Sequence, residues 1–251
     1  MSTARSNPGA RTRLVDATIR LLVTNGPSEV KARSVSNEAG LSTMGVYTHF
    51  GGVPELLQAV ADEGFTRLAI AFDLVQVTDD PFADLCAMSL AYRDIARRNP
   101  HLYDLMFGLS IHGRYSLSWG TAKPVSSERS PAFTAVYSFL LRACARLVDA
   151  GCVRKIDPSL IAMQLWSAVH GFVMLELADH FTEVADPVSE ILVPMCTNLI
   201  VGFGAKRETV EASTTRVVSG WTGSPEVQAG ERRGQKTKKG RVKSDSKTRS
   251  A

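Results

Sequence analysis

Between Arg11 and Phe203 apolar residues return at intervals of three and four, and hardly anywhere at intervals of two. The first spacing lays a stripe along an α-helix, whereas a half-buried strand alternates. Leu14, Ala17, Leu21 and Leu22 form one stripe; Leu57, Ala61, Phe65, Leu68, Phe72 and Val75 form a longer one. The chain is therefore expected to be all-α. Helix punctuation falls at Asn25-Gly26-Pro27, Ala39-Gly40, Gly51-Gly52, Asp80-Pro81, Asn99-Pro100, Gly151 and Asp186-Pro187. About nine helices result, near 11–25, 31–39, 43–50, 53–76, 81–98, 100–108, 130–150, 157–180 and 187–204, with one long loop from Ser110 to Ser130.

A chain of 251 residues, 44% of them hydrophobic, can bury a sizeable core in one domain or two. No apolar run near Met1 reads as a signal peptide, and Gln164, His170 and Glu176 interrupt the most apolar stretch, Leu160 to Leu177. A soluble cytoplasmic protein with no membrane span is expected. Cys86, Cys144, Cys152 and Cys196 form no C-x-x-C pair and read as small buried hydrophobes.

Charge is distributed unevenly. Residues 1–50 carry six Lys and Arg against three Asp and Glu, residues 51–204 eleven against seventeen, and residues 205–251 twelve against five. A basic head and a basic end thus flank an acidic middle, and only the ends suit a polyanion. The stretch GERRGQKTKKGRVKSDSKTRS holds too few apolar residues to offset the entropy of ordering, so residues 205–251 are expected to form a disordered basic tail. Such a tail either stays solvated or meets nucleic-acid phosphates without choosing a sequence.

The stretch AGLSTMGVYTHF, Ala39 to Phe50, carries the most specific signal. Gly40 suits the left-handed end of one helix, and the Ser42 hydroxyl is expected to cap the next, which makes a helix-turn-helix. Val46 and Phe50 face inward with Val35, Ala39 and Leu41, which turns Thr43, Met44, Tyr47 and Thr48 outward. An exposed Met and Tyr gain little from water. A helix this narrow fits the major groove of B-DNA, where hydroxyls meet base edges or phosphate and a Met meets a thymine methyl. Gly45 lets the backbone approach closely. The alternative is that Tyr47 and His49 merely pack on the following helix.

From Arg11 to Val60 the chain resembles the tetracycline-repressor (TetR) family of bacterial transcription regulators: an amphipathic helix ending in Asn-Gly, then VKARSVSNEAG, LSTMGVYTHF and PELLQAV. The resemblance implies a homodimer on a palindromic double-stranded DNA operator, repressing until a small molecule binds the C-terminal region, with no cofactor and no metal. It divides the chain into an arm, 1–10, a DNA-binding domain, 11–52, an effector-binding and dimerisation domain, 53–204, and the tail. It assigns DNA contact to Lys31, Arg33, Ser42, Thr43, Met44, Gly45, Tyr47, Thr48 and His49, with Thr43, Met44 and Gly45 facing bases and Tyr47 and His49 facing phosphate. Lys31 stands where the family commonly has a capping Ser or Thr, and Val53 where it commonly has a phosphate-binding Lys.

Further along, QLWSAVHGFVMLEL is similar to the W-x-x-x-H-G signature of a TetR C-terminal subgroup, and NPHLYDLMFG to its sixth helix. The helix that carries Trp166 and His170 is apolar nearly all round. One line runs through Leu160, Met163, Ser167, His170, Met174 and Leu177, another through Ile161, Leu165, Ala168, Phe172 and Leu175. With the next helix, also apolar, it is expected to pack against a second copy as a four-helix bundle, with Leu165, Phe172, Leu199 and Phe203 at the dimer interface. Trp166 and His170 either pack together as core or anchor an effector. Phe72, Tyr92, Met106, Phe107 and Phe139 are candidates to line its cavity, and their chemistry points to a mainly apolar compound.

The chain has no G-x-S-x-G, H-E-x-x-H or P-loop, and its one G-x-G, Gly202 to Gly204, ends a helix instead of following a strand. An enzyme is not expected. A general nucleic-acid coat without operator specificity, driven by the tail, is the competing reading.

Overall fold

The computed structural model describes residues 9–107 and 130–223. These are helical throughout, with no strand among them: α1 Ala10–Asn25, α2 Ala32–Ala39, α3 Met44–Phe50, α4 Val53–Asp73, α5 Pro81–Arg98, α6 Pro100–Met106, α7 Pro131–Asp149, α8 Pro158–Leu177, α9 Val193–Gly202 and α10 Arg207–Gly220. A 3-10 turn, Pro27–Glu29, precedes α2, and a π-helical turn, Val188–Leu192, leads into α9.

Several helices begin on the same local device, an acidic or amide side chain followed by proline. Asp80 accepts from the N–H groups of Phe82 and Ala83, Asn99 from Leu102, Asp157 from Ser159, and Asp186 from Val188 and Ser189. Each satisfies first-turn donors that have no intrahelical partner, while the proline supplies a preset φ where no N–H is needed. This is why the boundaries follow the sequence punctuation so closely.

The described residues fall into two compact units. The first comprises those of Met1–Ala69 and Ile95–Tyr137. Here α1 packs on α2, α3 and α6 around Leu14, Ala17, Leu22, Val35 and Val46, all buried. Gly64 sits beneath α6, where a Cβ would lie 2.6 Å from the Met106 sulfur, so a side chain there would have to displace Met106. The first part of α4 and all of α6, beyond the expected DNA-binding segment, belong to this unit.

The second unit comprises the described residues of Ile70–Asp94 and Ser138–Ala251. Its core includes Leu90, Leu147, Ile161, Leu165, Phe172, Val173, Leu192 and Ile200. The expectation of a disordered chain from residue 205 is corrected by α10, which packs on α9 and buries Val210, Ser213 and Thr214. Arg207 donates to Asn198, Arg216 to Asp80, and the Trp221 indole N–H to Asp94. A helix with a small buried face and three polar ties needs fewer apolar residues than composition suggested. The remainder of the expected tail, residues 224–251, and the loop 110–130 up to Arg129 lie outside the described residues.

Candidate functional site

The turn between α2 and α3 is built by the backbone. Gly40 is left-handed, at φ 64° and ψ 41°, and the Leu41 N–H reaches the Ser36 carbonyl at 2.8 Å, the six-to-one bond of a Schellman motif. Gly45 and Val46 donate to the carbonyls of Ser42 and Thr43 at 2.8 and 3.2 Å, and no side chain caps α3. The expected Ser42 cap is therefore corrected: tight backbone bonds already close the first turn, and the Ser42 side chain is exposed.

α3 divides cleanly into two faces. Val46 is fully buried, while Met44 is 68% and Tyr47 52% exposed. Ser42, Thr43, Thr48 and His49 are exposed as well, and Gly45 is half-buried. Eight of the nine expected DNA-contacting residues are thus at the surface, including Lys31 and Arg33 at the start of α2. Lys31 stands before α2 with extended backbone and no capping bond, its Nζ 3.6 Å from Glu29. This pair leaves Lys31 exposed.

Three arginines of α1 tie it to the helices of this domain, which the sequence did not announce. Arg13 donates to the carbonyls of Ala39 and Gly40, Arg20 to Glu38, and the Arg11 guanidinium lies 4.8 Å over the Phe50 ring. Local spacing carries no signal for them, because their partners are 18 or more residues away.

In the second unit α5 and α8 are tied by two polar links. The Tyr92 hydroxyl and His170 Nδ1 are 2.8 Å apart, and Arg93 grips Glu176 with both nitrogens of its fork in a nearly buried ion pair. Trp166 tilts against the His170 ring at 5.9 Å between centroids. Burial holds the His170 pKa below its ordinary value, since an imidazolium loses hydration there. Phe72 meets Phe139 edge to face at 6.3 Å. Of the candidate effector residues, Phe72, Tyr92, Phe139, Trp166 and His170 belong to this unit. Met106 and Phe107 belong to the first, where the Phe107 ring meets Phe65 and Tyr103.

The four residues expected at a dimer interface do not share one environment. Leu165 and Phe172 on α8, and Phe203 just past the end of α9, are buried within the protomer. The outer faces form a groove of about 910 Å³ lined by Met163, Ser167, Ile191, Met195, Asn198 and Leu199 among others. Leu160, Met174 and Leu175 are exposed on the same helix. Of the four residues singled out, only Leu199 lies in that groove.

Burial pushes the thiols of Cys86, Cys144 and Cys196 up to about 12, so all three stay protonated at neutral pH and behave as hydrophobes. Among the described residues no three His, Cys, Asp or Glu side chains are grouped to hold a metal. α7 and α8 are long and apolar enough to cross a membrane. α8 instead buries one face in its unit and ties His170 and Glu176 to α5.

Residues 85–199 match a family described as the tetracyclin repressor-like C-terminal domain. Over 219 residues the chain is 23% identical to the uncharacterized HTH-type transcriptional regulator Rv0681 of Mycobacterium tuberculosis, covering 85% of this chain and 89% of that one. In fold it is similar to a protein of unknown function from Rhodococcus sp. RHA1, with a TM-score of 0.65 at 23% identity, covering 80% and 99% of the two chains. It is also similar to RolR in complex with resorcinol, with a TM-score of 0.54 at 18% identity, covering 82% and 93%. A TetR-family regulator from Marinobacter aquaeolei VT8 gives 0.54 at 17% identity, covering 76% and 94%.

Proposed function

We propose that this TetR-family transcriptional regulator binds a palindromic operator as a homodimer and releases it when a small, mainly apolar molecule occupies its C-terminal unit. The observation that carries the DNA reading is the division of α3: a fully buried Val46 on one side, and Thr43, Met44, Tyr47 and Thr48 exposed on the other. Thr43 and Met44 read base edges. Tyr47, His49, Lys31 and Arg33 hold phosphate, where contacts position the protein without choosing a sequence.

The groove between α8 and α9, where Met163, Ile191, Met195 and Leu199 lie among polar neighbours, supports dimerisation through the outer faces of those helices together with the exposed Leu160, Met174 and Leu175, because exposed apolar side chains grouped on one face mark an interaction surface. A second copy brings the same strip, and a twofold interface is self-complementary. Phe72, Tyr92, Phe139, Trp166 and His170 are proposed to meet the effector, with the Tyr92–His170 pair as its polar anchor. The resorcinol complex of RolR supports a ligand of that scale. The protein works in the cytoplasm, where its operator is.

Footprinting on genomic fragments, repeated with sedimentation, tests the reading. A short symmetric protected site bound by a dimer is expected. Uniform protection along the fragment indicates a coat, and absence of binding removes the regulator reading.

A further inference from the structure

We infer that Arg13 is a positioning residue for the recognition helix, setting the α2–α3 turn from inside the domain without touching DNA. The inference rests on the DNA-reading proposal above. Arg13 lies on α1 and is half-buried. Its Nη2 donates to the Ala39 carbonyl at 2.5 Å and the Gly40 carbonyl at 3.2 Å. These carbonyls end α2, where the last turn lacks intrahelical donors and carries the negative end of the helix dipole. Backbone N–H groups of Gly40 and Leu41 satisfy Asn37 and Ser36. The cation from α1 takes the carbonyls of Ala39 and Gly40, which these N–H groups leave open.

The glycine and the arginine fit one another. A Cβ at position 40 would lie 3.1 Å from Arg13 Nη2, so a side chain there would crowd the guanidinium as well as strain the left-handed backbone. α3 has seven residues and no side-chain cap, which leaves its direction to the turn that precedes it and the residue that closes it. Arg13 holds the first, and Arg11, over the Phe50 ring, braces the second. Base readout tolerates errors of only about half an ångström in a supporting shell. A loosened turn therefore costs discrimination before it costs folding.

The test compares the full-length protein with Arg13→Ala and Arg13→Lys on two duplexes of equal length: a symmetric site selected from random DNA, and a scrambled version. Arg13→Ala is expected to lose about tenfold or more on the selected site, as for lost hydrogen bonds to a charged group. Affinity for the scrambled duplex and the slope of log affinity against log salt should stay at the parental values. Arg13→Lys keeps one charged donor and should fall between the two.

A phosphate contact behaves differently: its loss weakens both duplexes alike and lowers the salt slope by about one. That result, or parental discrimination by Arg13→Ala, overturns the inference. If circular dichroism shows that Arg13→Ala does not fold, Arg13→Lys reads the same two quantities. Reduced discrimination at an unchanged slope then supports the inference, and full parental discrimination overturns it. A parent protein that selects no sequence at all overturns the DNA-reading proposal itself, and the inference with it.

Discussion

The stretch from Lys31 to Phe50 and the pair α8–α9 are both helical, yet they sort their residues differently. In the first, polar and apolar residues alternate with the helical period, and Val35, Ala39 and Val46 are buried while Asn37, Glu38, Thr43 and Thr48 are exposed; the buried Ser36 is the exception. In the second, Leu, Met, Ile and Phe run round both helices. Ile161, Leu165, Phe172 and Val173 are buried while Leu160, Met163, Met174 and Leu175 are exposed, although the two sets have the same chemistry. Amphipathic phase selects the inner face where it exists. Where it is absent, the neighbouring helices decide.

The sharpest way to break this contrast is to place a charge on either face of α8. Leu165→Glu buries a carboxylate without a partner and should remove the folded state, a loss of several kcal/mol or more, on the order of a full domain's stability. Met163→Glu should keep the thermal transition of the protomer and abolish the dimer. Denaturation and sedimentation of the two variants check both outcomes; a dimeric, folded Leu165→Glu protein would reverse the assignment of faces.

Truncation separates the contribution of α10 from that of the basic segment beyond Gly223. Ending the chain after Ala205 removes the buried Val210 and the links to Asp80, Asp94 and Asn198, and should destabilise by at least about 2 kcal/mol. Ending it after Gly223 should leave the melting temperature unchanged. The twelve basic residues from 205 onward make the shorter cut the cleaner probe of non-specific affinity, since nine of them lie beyond Gly223.

On α3 the comparison turns from stability to selectivity. Substituting Thr43 or Met44 should change preference at one or two base pairs of each half-site by about 1 to 3 kcal/mol per position. Tyr47→Phe should weaken every site alike by about 1 kcal/mol. Binding to single-base operator variants separates these effects, and parental preferences in the Thr43 and Met44 variants would move the reading head elsewhere.

The smallest effect concerns His170. Because burial depresses its folded pKa, the unfolded chain binds the proton more readily between that value and 6.5. Its contribution to stability is therefore fully present above about pH 6.5 and is lost as pH falls toward the folded pKa. The melting temperature should fall on acidification from neutral pH, and less steeply in His170→Gln.

Much of the fold could be read because its determinants are local. Asp80, Asn99, Asp157 and Asp186 each satisfy N–H groups two or three residues away, and Gly40 and Gly51 adopt left-handed conformations that a side chain disfavours. The exposed polar face of α3 was legible for the same reason, since its two faces alternate within a few residues. The sequence by itself therefore determined where helices begin and end, and which side of α3 is polar. Tertiary structure alone decided that Leu165 and Phe172 are core and Met163 is surface, that Arg13 bonds the carbonyls of Ala39 and Gly40 while Arg11 lies over Phe50, and that Arg207–Gly220 is a helix. Hydrogen-bond valence and backbone sterics act over a few residues and leave a mark on spacing. Burial and charge pairing depend on groups brought together from 18 to 136 positions away, and spacing does not record them.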